Sequence, residues 1–276
     1  MSSSRKIKNI INYAKIYFGI AISIVVLLSI MTLIIVNGIA NLSFDFIFSL
    51  NAPRGFSLMP MIVTTSIVVF ATLLLAAPLG IGAAIYLNEY ASTKSRFVKF
   101  IRISIETLSG IPSIIYGLFG FLFYVIVLRW TWSIRAGIFT VAIMILPIII
   151  RSTEEALKSV PMSYRMGSYA LGAGKFYTIR KVVLPAAMNG IIASIILSIG
   201  RLVGETAALL LTAGTLLDMP TSLDSSAATL AVFMYTITVE QGDMERAYAT
   251  AIVLMTLVLM LNILANFAVK RLGKRN

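Results

Sequence analysis

Two arginine–glutamate pairs place charge inside or beside apolar stretches of the sequence. Arg201 and Glu205 are four residues apart in an otherwise apolar run, so on a helix they would share one face. Arg151 and Glu154 repeat the arrangement three residues apart, where another apolar run ends. Charged side chains are expensive in lipid, and those that are retained usually mark a pathway. The alternative is that each carboxylate only neutralises its arginine and so permits insertion.

Side chains for most enzyme chemistry are missing. The sequence has no cysteine and no histidine, which excludes disulfides, thiolate nucleophiles, imidazole bases and zinc sites that use these ligands. The segment from Leu171 to Lys175 resembles a phosphate-binding loop, but the upstream glycine of that motif is missing and Phe176 replaces its serine or threonine. We therefore expect no metal and no cofactor in this chain. If ATP is used, a partner must bind it.

A polar segment between about residues 151 and 187 contains a short amphipathic pattern. Apolar side chains recur there at helical spacing, at Met162, Met166, Tyr169, Ala170 and Ala173. Pro161 suits the first turn of such a helix, and Gly172 and Gly174 suit its end. An amphipathic helix in a polar loop predicts a docking surface for a partner.

The elements that must position these residues are transmembrane helices. The chain has 276 residues, of which 59% are hydrophobic and 12% charged, and its mean hydropathy is +0.94. Crossing a hydrocarbon core of roughly 30 Å takes about 20 apolar residues. We predict six spans, at about 17–40, 61–87, 107–128, 135–150, 188–217 and 247–269. The first run is too long for a signal peptide and no clear cleavage site follows it, so we expect an uncleaved helix.

The basic residues indicate the orientation of these spans. The net charge is +12, and most of the 23 Lys and Arg residues lie in the two termini and in the second–third and fourth–fifth loops. Short loops rich in Lys and Arg are typical of the cytoplasmic side of a membrane. We therefore expect both termini and the long fourth–fifth loop to be cytoplasmic. The same distribution argues against a nucleic-acid partner.

The polar segment is similar to the EAA loop of ABC importer permeases, whose pattern is E-A-A-x3-G-x9-I-x-L-P. Gly172 matches the glycine of that pattern, and Leu184-Pro185 matches its final pair. Val182 replaces the isoleucine. The residues 166–168, Met-Gly-Ser, replace E-A-A, so the family's acidic residue is missing.

Longer stretches resemble the permease subunits of phosphate ABC transporters, most closely the PstA type. They are P-L-G-I-G-A-A-I-Y-L-N-E-Y-A at 78–91, G-I-P-S-I-I-Y-G-L-F-G at 110–120, I-G-R-L-V-G-E-T-A at 199–207 and M-P-T-S-L at 219–223. The resemblance implies a type I ABC importer permease, an all-α integral membrane protein with six transmembrane helices and a cytoplasmic coupling helix.

The resemblance also implies a domain organisation and partners. Residues 1–59 would hold the cytoplasmic N-terminus, first helix and external loop, 60–270 the transmembrane type-1 domain, and 271–276 a cytoplasmic tail. The partners would be membrane lipid, a PstC-like second permease, a PstB-like cytoplasmic ATPase dimer that binds the ATP, and a PstS-like extracytoplasmic phosphate-binding protein. The chain would be a transport subunit of the cell (plasma) membrane and not an enzyme.

Two sets of residues receive roles from the resemblance. Coupling to the ATPase would involve Pro161, Met162, Met166, Tyr169, Leu171, Gly172, Leu184 and Pro185. Phosphate is a strongly hydrated anion, so a pathway through lipid must offer it fixed positive charge or backbone donors, and the planar fork of arginine matches phosphate oxygens. The predicted substrate pathway is formed by Arg201, Glu205, Arg151 and Glu154.

Other readings remain open at this point. Within the importers, the chain could be the paired PstC-type subunit or a permease for another oxyanion or small solute. A channel or scaffold subunit would explain the helices but not the long loop with its embedded amphipathic helix. A membrane enzyme would need a convergent acid–base set, and only scattered carboxylates are available.

Overall fold

The structure is a computed structural model that describes residues 3–48, 57–92 and 94–273. Parts of the predicted external connection before residue 59 and the end of the predicted tail at 271–276 lie outside the described residues. The helices, in chain order, are α1 (Ser3–Gly38), α2 (Phe44–Phe48), α3 (Met59–Ile85), α4 (Arg96–Ser109), α5 (Ser113–Gly120), α6 (Ile134–Lys158), α7 (Met162–Ala170), α8 (Lys175–Thr178), α9 (Leu184–Val203), α10 (Ala207–Thr212), α11 (Leu230–Val239) and α12 (Met244–Gly273). The described residues form helices and connections only, and the predicted all-α class is confirmed.

The described part of the chain contains five helical segments that could cross a membrane, and a sixth if one bent pair of helices counts as a single span. Five continuous helical segments are long and apolar enough, namely Asn12–Asn41, Met59–Tyr90, Ile134–Lys158, Lys175–Val203 and Met244–Phe267. The bent pair consists of Arg96–Ser109 and Ser113–Val127, which meet at an angle of 100°, as in a broken span or a re-entrant loop. Three of these segments include wide π-helical turns, at Tyr86–Tyr90, Phe121–Val127 and Ile179–Val183.

The predicted third span, 107–128, is wrong at its start. The chain breaks at Gly110-Ile111-Pro112, because proline disfavours helical backbone in the residue before it and cannot donate a backbone hydrogen bond. The helix α4 before the break was predicted as part of a polar loop. It is amphipathic, with Val98 buried while Phe97 and Phe100 are exposed.

The predicted fourth and fifth spans also have different bounds in the structure. The fourth, predicted at 135–150, continues to Lys158 as α6. The fifth, predicted at 188–217, begins at Lys175 and ends at Val203. Its helix continues past Pro185 because the wide turn at Ile179–Val183 accommodates the missing proline N–H. Between Val203 and the predicted end of this span at residue 217, the chain forms only the short α10 and an extended connection.

The helices α3 and α6 lie side by side at the centre of the bundle, and the main apolar core surrounds them. Gly80 permits their close approach, because a Cβ atom there would lie 2.7 Å from Ile149 Cγ2. The helix α11, which falls in a segment predicted to be polar and extramembrane, packs into the same core through the fully buried Phe233. The backbone N–H of Leu230 at its start donates to the Thr65 hydroxyl on α3 at 2.9 Å.

Candidate coupling surface and charged sites

The helix α7 presents its apolar side chains outward. Met162, Met166 and Tyr169 are exposed on it, and the adjoining Leu171 is 90% exposed. Arg165 and Ser168, which are polar, are the buried residues of the helix and face the bundle. An apolar surface on a helix that is held to the protein by its polar residues fits docking into a partner's groove.

Both ends of α7 are defined by residues that the sequence pointed to. Pro161 is the N-cap, one position before the predicted first turn. At the other end Gly172 has φ of +80°, its N–H donates to Tyr169 O at 2.9 Å, and the Ala173 N–H donates to Ser168 O at 3.2 Å. These two bonds form a Schellman motif, in which glycine relieves the strain of left-handed backbone.

A groove of about 720 Å³ lies beside α7, between it and the wide turn that precedes α9. Its walls include Tyr164, Leu171, Tyr177 and Val182. The last two predicted coupling residues differ from the rest in position. Leu184 packs against a smaller core cluster formed by α3, α4, α6 and α9, while Pro185 is exposed on the first turn of α9. Their roles in coupling stay a prediction.

Polar contacts hold α7 to the bundle, and sequence reasoning missed them. Arg165 binds Glu89 at the end of the helical segment Met59–Tyr90. Its Nη2 lies 2.7 Å from Oε1 of the carboxylate, and its Nε lies 3.4 Å from Oε2. The Ser168 and Thr178 hydroxyls are hydrogen-bonded at 2.8 Å. The signal for Arg165 was its place among apolar residues at helical spacing, but only the fold brings Glu89, 76 residues away, to it.

The predicted Arg151–Glu154 pair is not formed, and this expectation is corrected. Glu154 is buried and forms ion pairs with Arg102 on α4 and with Lys158, whose Nζ lies 2.8 Å from Oε1. Arg151 instead pairs with Glu155 at 3.3 Å and with Glu106 at 3.8 Å.

The reason for the exchange of partners is the position of α4. The sequence placed residues 88–102 in a polar loop, whereas α4 packs against α6 and brings Arg102 to Glu154. Arg102 also donates to the Leu87 carbonyl at 2.8 Å, so one guanidinium joins three segments. A small charged cleft of about 200 Å³ results between α4 and α6.

Arg201 and Glu205 do not form the predicted same-face pair either. The helix α9 ends at Val203 with Gly204 as its C-cap, so Glu205 lies beyond it. Glu205 is buried and accepts a hydrogen bond from the Ala208 N–H at 3.2 Å, which caps α10. Arg201 is exposed and has no hydrogen bond or ion pair with any residue that the structure describes. It lies within electrostatic range of Tyr116 on α5.

Comparisons with known proteins agree on one family. The sequence profile described as "Binding-protein-dependent transport system inner membrane component" matches residues 76–276. The chain is 37% identical over 201 residues to the "Probable ABC transporter permease protein YqgI" of Bacillus subtilis, which covers 71% of this chain and 68% of that protein. It is 34% identical over 212 residues to the "Phosphate transport system permease protein PstA 2" of Mycobacterium bovis, covering 75% of this chain and 70% of that protein.

A solved structure shares the fold at low sequence identity. A chain of a bacterial alginate ABC transporter, in complex with its alginate pentasaccharide-bound periplasmic protein, superposes with a TM-score of 0.69. The match covers 97% of this chain and 96% of that chain at 16% identity. At this identity the likeness concerns the arrangement of helices and not the substrate.

Proposed function

This chain belongs to the family of binding-protein-dependent transport system inner membrane components, and on that premise we propose that it is a permease subunit of an ATP-driven phosphate importer. It forms the translocation path together with a second permease subunit. A multi-span permease of this family lies in the cell membrane. We place both termini and α7 on the cytoplasmic side because they belong to the segments rich in Lys and Arg, which are typical of that side.

The observation that carries the substrate proposal is the identity of 34% to a protein named as a phosphate transport permease, over three quarters of this chain. A second PstA-named relative, from Mycobacterium leprae, is 36% identical over 193 residues. The exposed Arg201 supports the same substrate, since a guanidinium without a partner among the described residues has its donors free for an oxyanion.

The partners follow from the family and from the surfaces of this chain. An ABC importer needs an ATPase, a second permease and a binding protein, and we propose PstB-like, PstC-like and PstS-like proteins for these places. The ATPase docks on the exposed apolar side of α7 and on the groove beside it. The chain has no P-loop, so ATP binds and reacts on the ATPase alone.

The substrate pathway lies on the side of the bundle where α5 and the end of α9 are exposed. A positive charge in a low-dielectric passage attracts an anion more strongly than the same charge in water. We propose Arg201 as the phosphate contact, with Glu205 positioning α10 next to it through the Ala208 N–H. Arg151 and Glu154 lie nearer the α7 end, where the charged cleft between α4 and α6 would form the exit.

Purification of the assembled complex tests this proposal. The tagged chain should carry the ATPase and the second permease with it through purification in mild detergent. In reconstituted membranes, ATP hydrolysis should rise when phosphate-loaded binding protein is added and not when the protein is empty. An assembled complex whose hydrolysis ignores the loaded protein, or a chain that purifies without an ATPase, would argue against the proposed function.

A further inference from the structure

A buried ion pair joins the helix α7 to the bundle, together with the hydrogen bond between Ser168 and Thr178. Arg165 is the single charged residue of α7, and its side chain is 10% exposed. Its partner Glu89 is 6% exposed. The apolar residues of α7 point away from the bundle, so apolar packing does little to fix the helix in place.

The guanidinium of Arg165 contacts three parts of the chain at once. It belongs to α7, it forms a two-pronged contact with the Glu89 carboxylate, and it donates to the carbonyls of Val160 at 2.9 Å and Leu157 at 3.1 Å. Leu157 is in the last turn of α6. One side chain therefore ties α7 to the ends of the two central helical segments, Met59–Tyr90 and α6.

Glu89 lies in the wide turn Tyr86–Tyr90, which continues α3 without a break. The Asn88 side chain donates to the Glu89 carboxylate at 2.8 Å and so helps to orient it. A second cation, Lys175 at the start of α8, lies 4.8 Å from the ring of Tyr90 in the same turn. The segment after α7 is thus anchored to the same point.

A buried ion pair is weak evidence for stability, because desolvation offsets much of its attraction. What such a pair does supply is a defined relative orientation of the two segments that it joins. The planar guanidinium meets a carboxylate in a fixed orientation, so a rotation or shift of one partner must move the other. A contact of this kind suits the transmission of rigid-body motion better than it suits simple adhesion.

We propose that the Glu89–Arg165 ion pair is the link through which movement of α7 reaches the long helix Met59–Tyr90 and α6. Arg165 and Glu89 are positioning residues. They touch neither phosphate nor ATP, and the ATPase docks on the exposed apolar residues of α7. This inference rests on the proposed function and adds the connection between the docking surface and the membrane helices.

The first test removes the charges in the reconstituted importer. In the double variant Glu89→Gln, Arg165→Gln neither partner is left as an unpaired buried charge, and the single variant Glu89→Gln accompanies it. We expect both to assemble with the ATPase, because the apolar docking surface is intact. Phosphate transported per ATP hydrolysed should fall at least about tenfold, because hydrolysis continues while movement of α7 no longer reaches the membrane helices.

The second test restores the link without charge. Because the chain contains no cysteine, Glu89→Cys, Arg165→Cys provides the only two thiols. A short reagent that joins the two thiols through cleavable disulfides should raise the phosphate-to-ATP ratio severalfold above that of the untreated variant. Dithiothreitol should reverse the gain. A merely structural role would not respond to the reagent in an already assembled complex.

Arg96→Gln is the matched control, since Arg96 is an exposed charged residue on α4 that belongs neither to the coupling surface nor to the proposed pathway. Its phosphate-to-ATP ratio should equal that of the wild type. A wild-type ratio in either assembled Gln variant would overturn the inference, and so would failure of both to assemble, since the pair would then be needed for folding. If the wild-type complex itself transports no phosphate, the proposed function fails instead.

Discussion

At the scale of single residues, Arg201 at the far end of α9 differs from the arginines near the α7 end of the bundle. Arg102, Arg151 and Arg165 each have carboxylate partners within the chain. Arg201 has none among the residues that the structure describes, and it is exposed on the side of α5 and α9. An unpaired guanidinium at the end of a transmembrane helix has its donors available to an anion or to the second permease.

Replacing Arg201 tests its role in the pathway. Arg201→Gln should lower phosphate uptake roughly tenfold or more, since hydrogen bonds to charged groups contribute about 1.5–3 kcal/mol. Arg201→Lys should keep part of the activity, because a point charge cannot reproduce the two-pronged contact. Assembly should be unchanged, since Arg201 forms no ion pair with any residue in the described ranges. Arg96→Gln, which removes an exposed arginine from α4, serves as the control; equal uptake in Arg201→Gln and this control would refute the pathway role.

A second residue-scale prediction concerns the contact between α5 and α10. A Cβ atom at Gly117 would lie 2.8 Å from Ala208 Cα, which belongs to the backbone and cannot turn away. Gly117→Ala should therefore destabilise the protein by about 1–3 kcal/mol. Its unfolding temperature in detergent should fall by about 2–4 °C per kcal/mol. Gly82→Ala, whose added methyl meets nothing within 4 Å, should show no such fall; equal shifts in the two variants would contradict the packing.

At the scale of the elements, the sequence was sufficient to predict helix ends that are set by local signals. It was insufficient to predict bends, helix ends and ion-pair partners that depend on tertiary contacts. The coupling helix was predicted to end at Gly172 and Gly174, and it ends just before Gly172, because proline, apolar spacing and glycine are local signals. The bend at Pro112 and the early end of α9 at Val203 were missed, because an apolar run continues through both positions. The predicted Arg151–Glu154 ion pair was wrong for a similar reason. The packing of α4 brings Arg102 to Glu154, and the local spacing of charges does not show this.

The end of α7 offers an element-scale test with a matched control. Gly172 has φ of +80°, whereas Gly174, two residues later, has φ of −73°. Left-handed backbone costs a residue with a side chain about 1–2 kcal/mol. Gly172→Val should therefore change how α7 sits on its partner, while Gly174→Val should not, since an added Cβ meets nothing within 4 Å at either position. We expect ATP hydrolysis in Gly172→Val to lose its response to the loaded binding protein. An unchanged response would show that the turn after α7 is not needed for coupling.

At the scale of the whole molecule, the orientation in the membrane can be measured directly. The chain has no native cysteine, so a single cysteine reports its own position. A cysteine at Ser163, exposed on α7, should react with an impermeant reagent from the cytoplasmic side, and one at the exposed Thr221 from outside. Ser168 is unsuited to this test because it is buried against Thr178. Labelling of Ser163 from outside would place the docking helix on the wrong side and reject the proposed orientation.

The fold of the described residues agrees with the importer permease class predicted from sequence, and a chain of an alginate transporter shares it at only 16% identity. The helix arrangement alone therefore does not decide the substrate. The chain should be reconstituted in liposomes with its second permease and its ATPase, with ATP inside and phosphate-loaded binding protein outside. Our account predicts ATP-dependent accumulation of labelled phosphate that excess sulfate or molybdate does not reduce. Accumulation of sulfate or molybdate in place of phosphate, or none in an assembled complex that hydrolyses ATP, would contradict it.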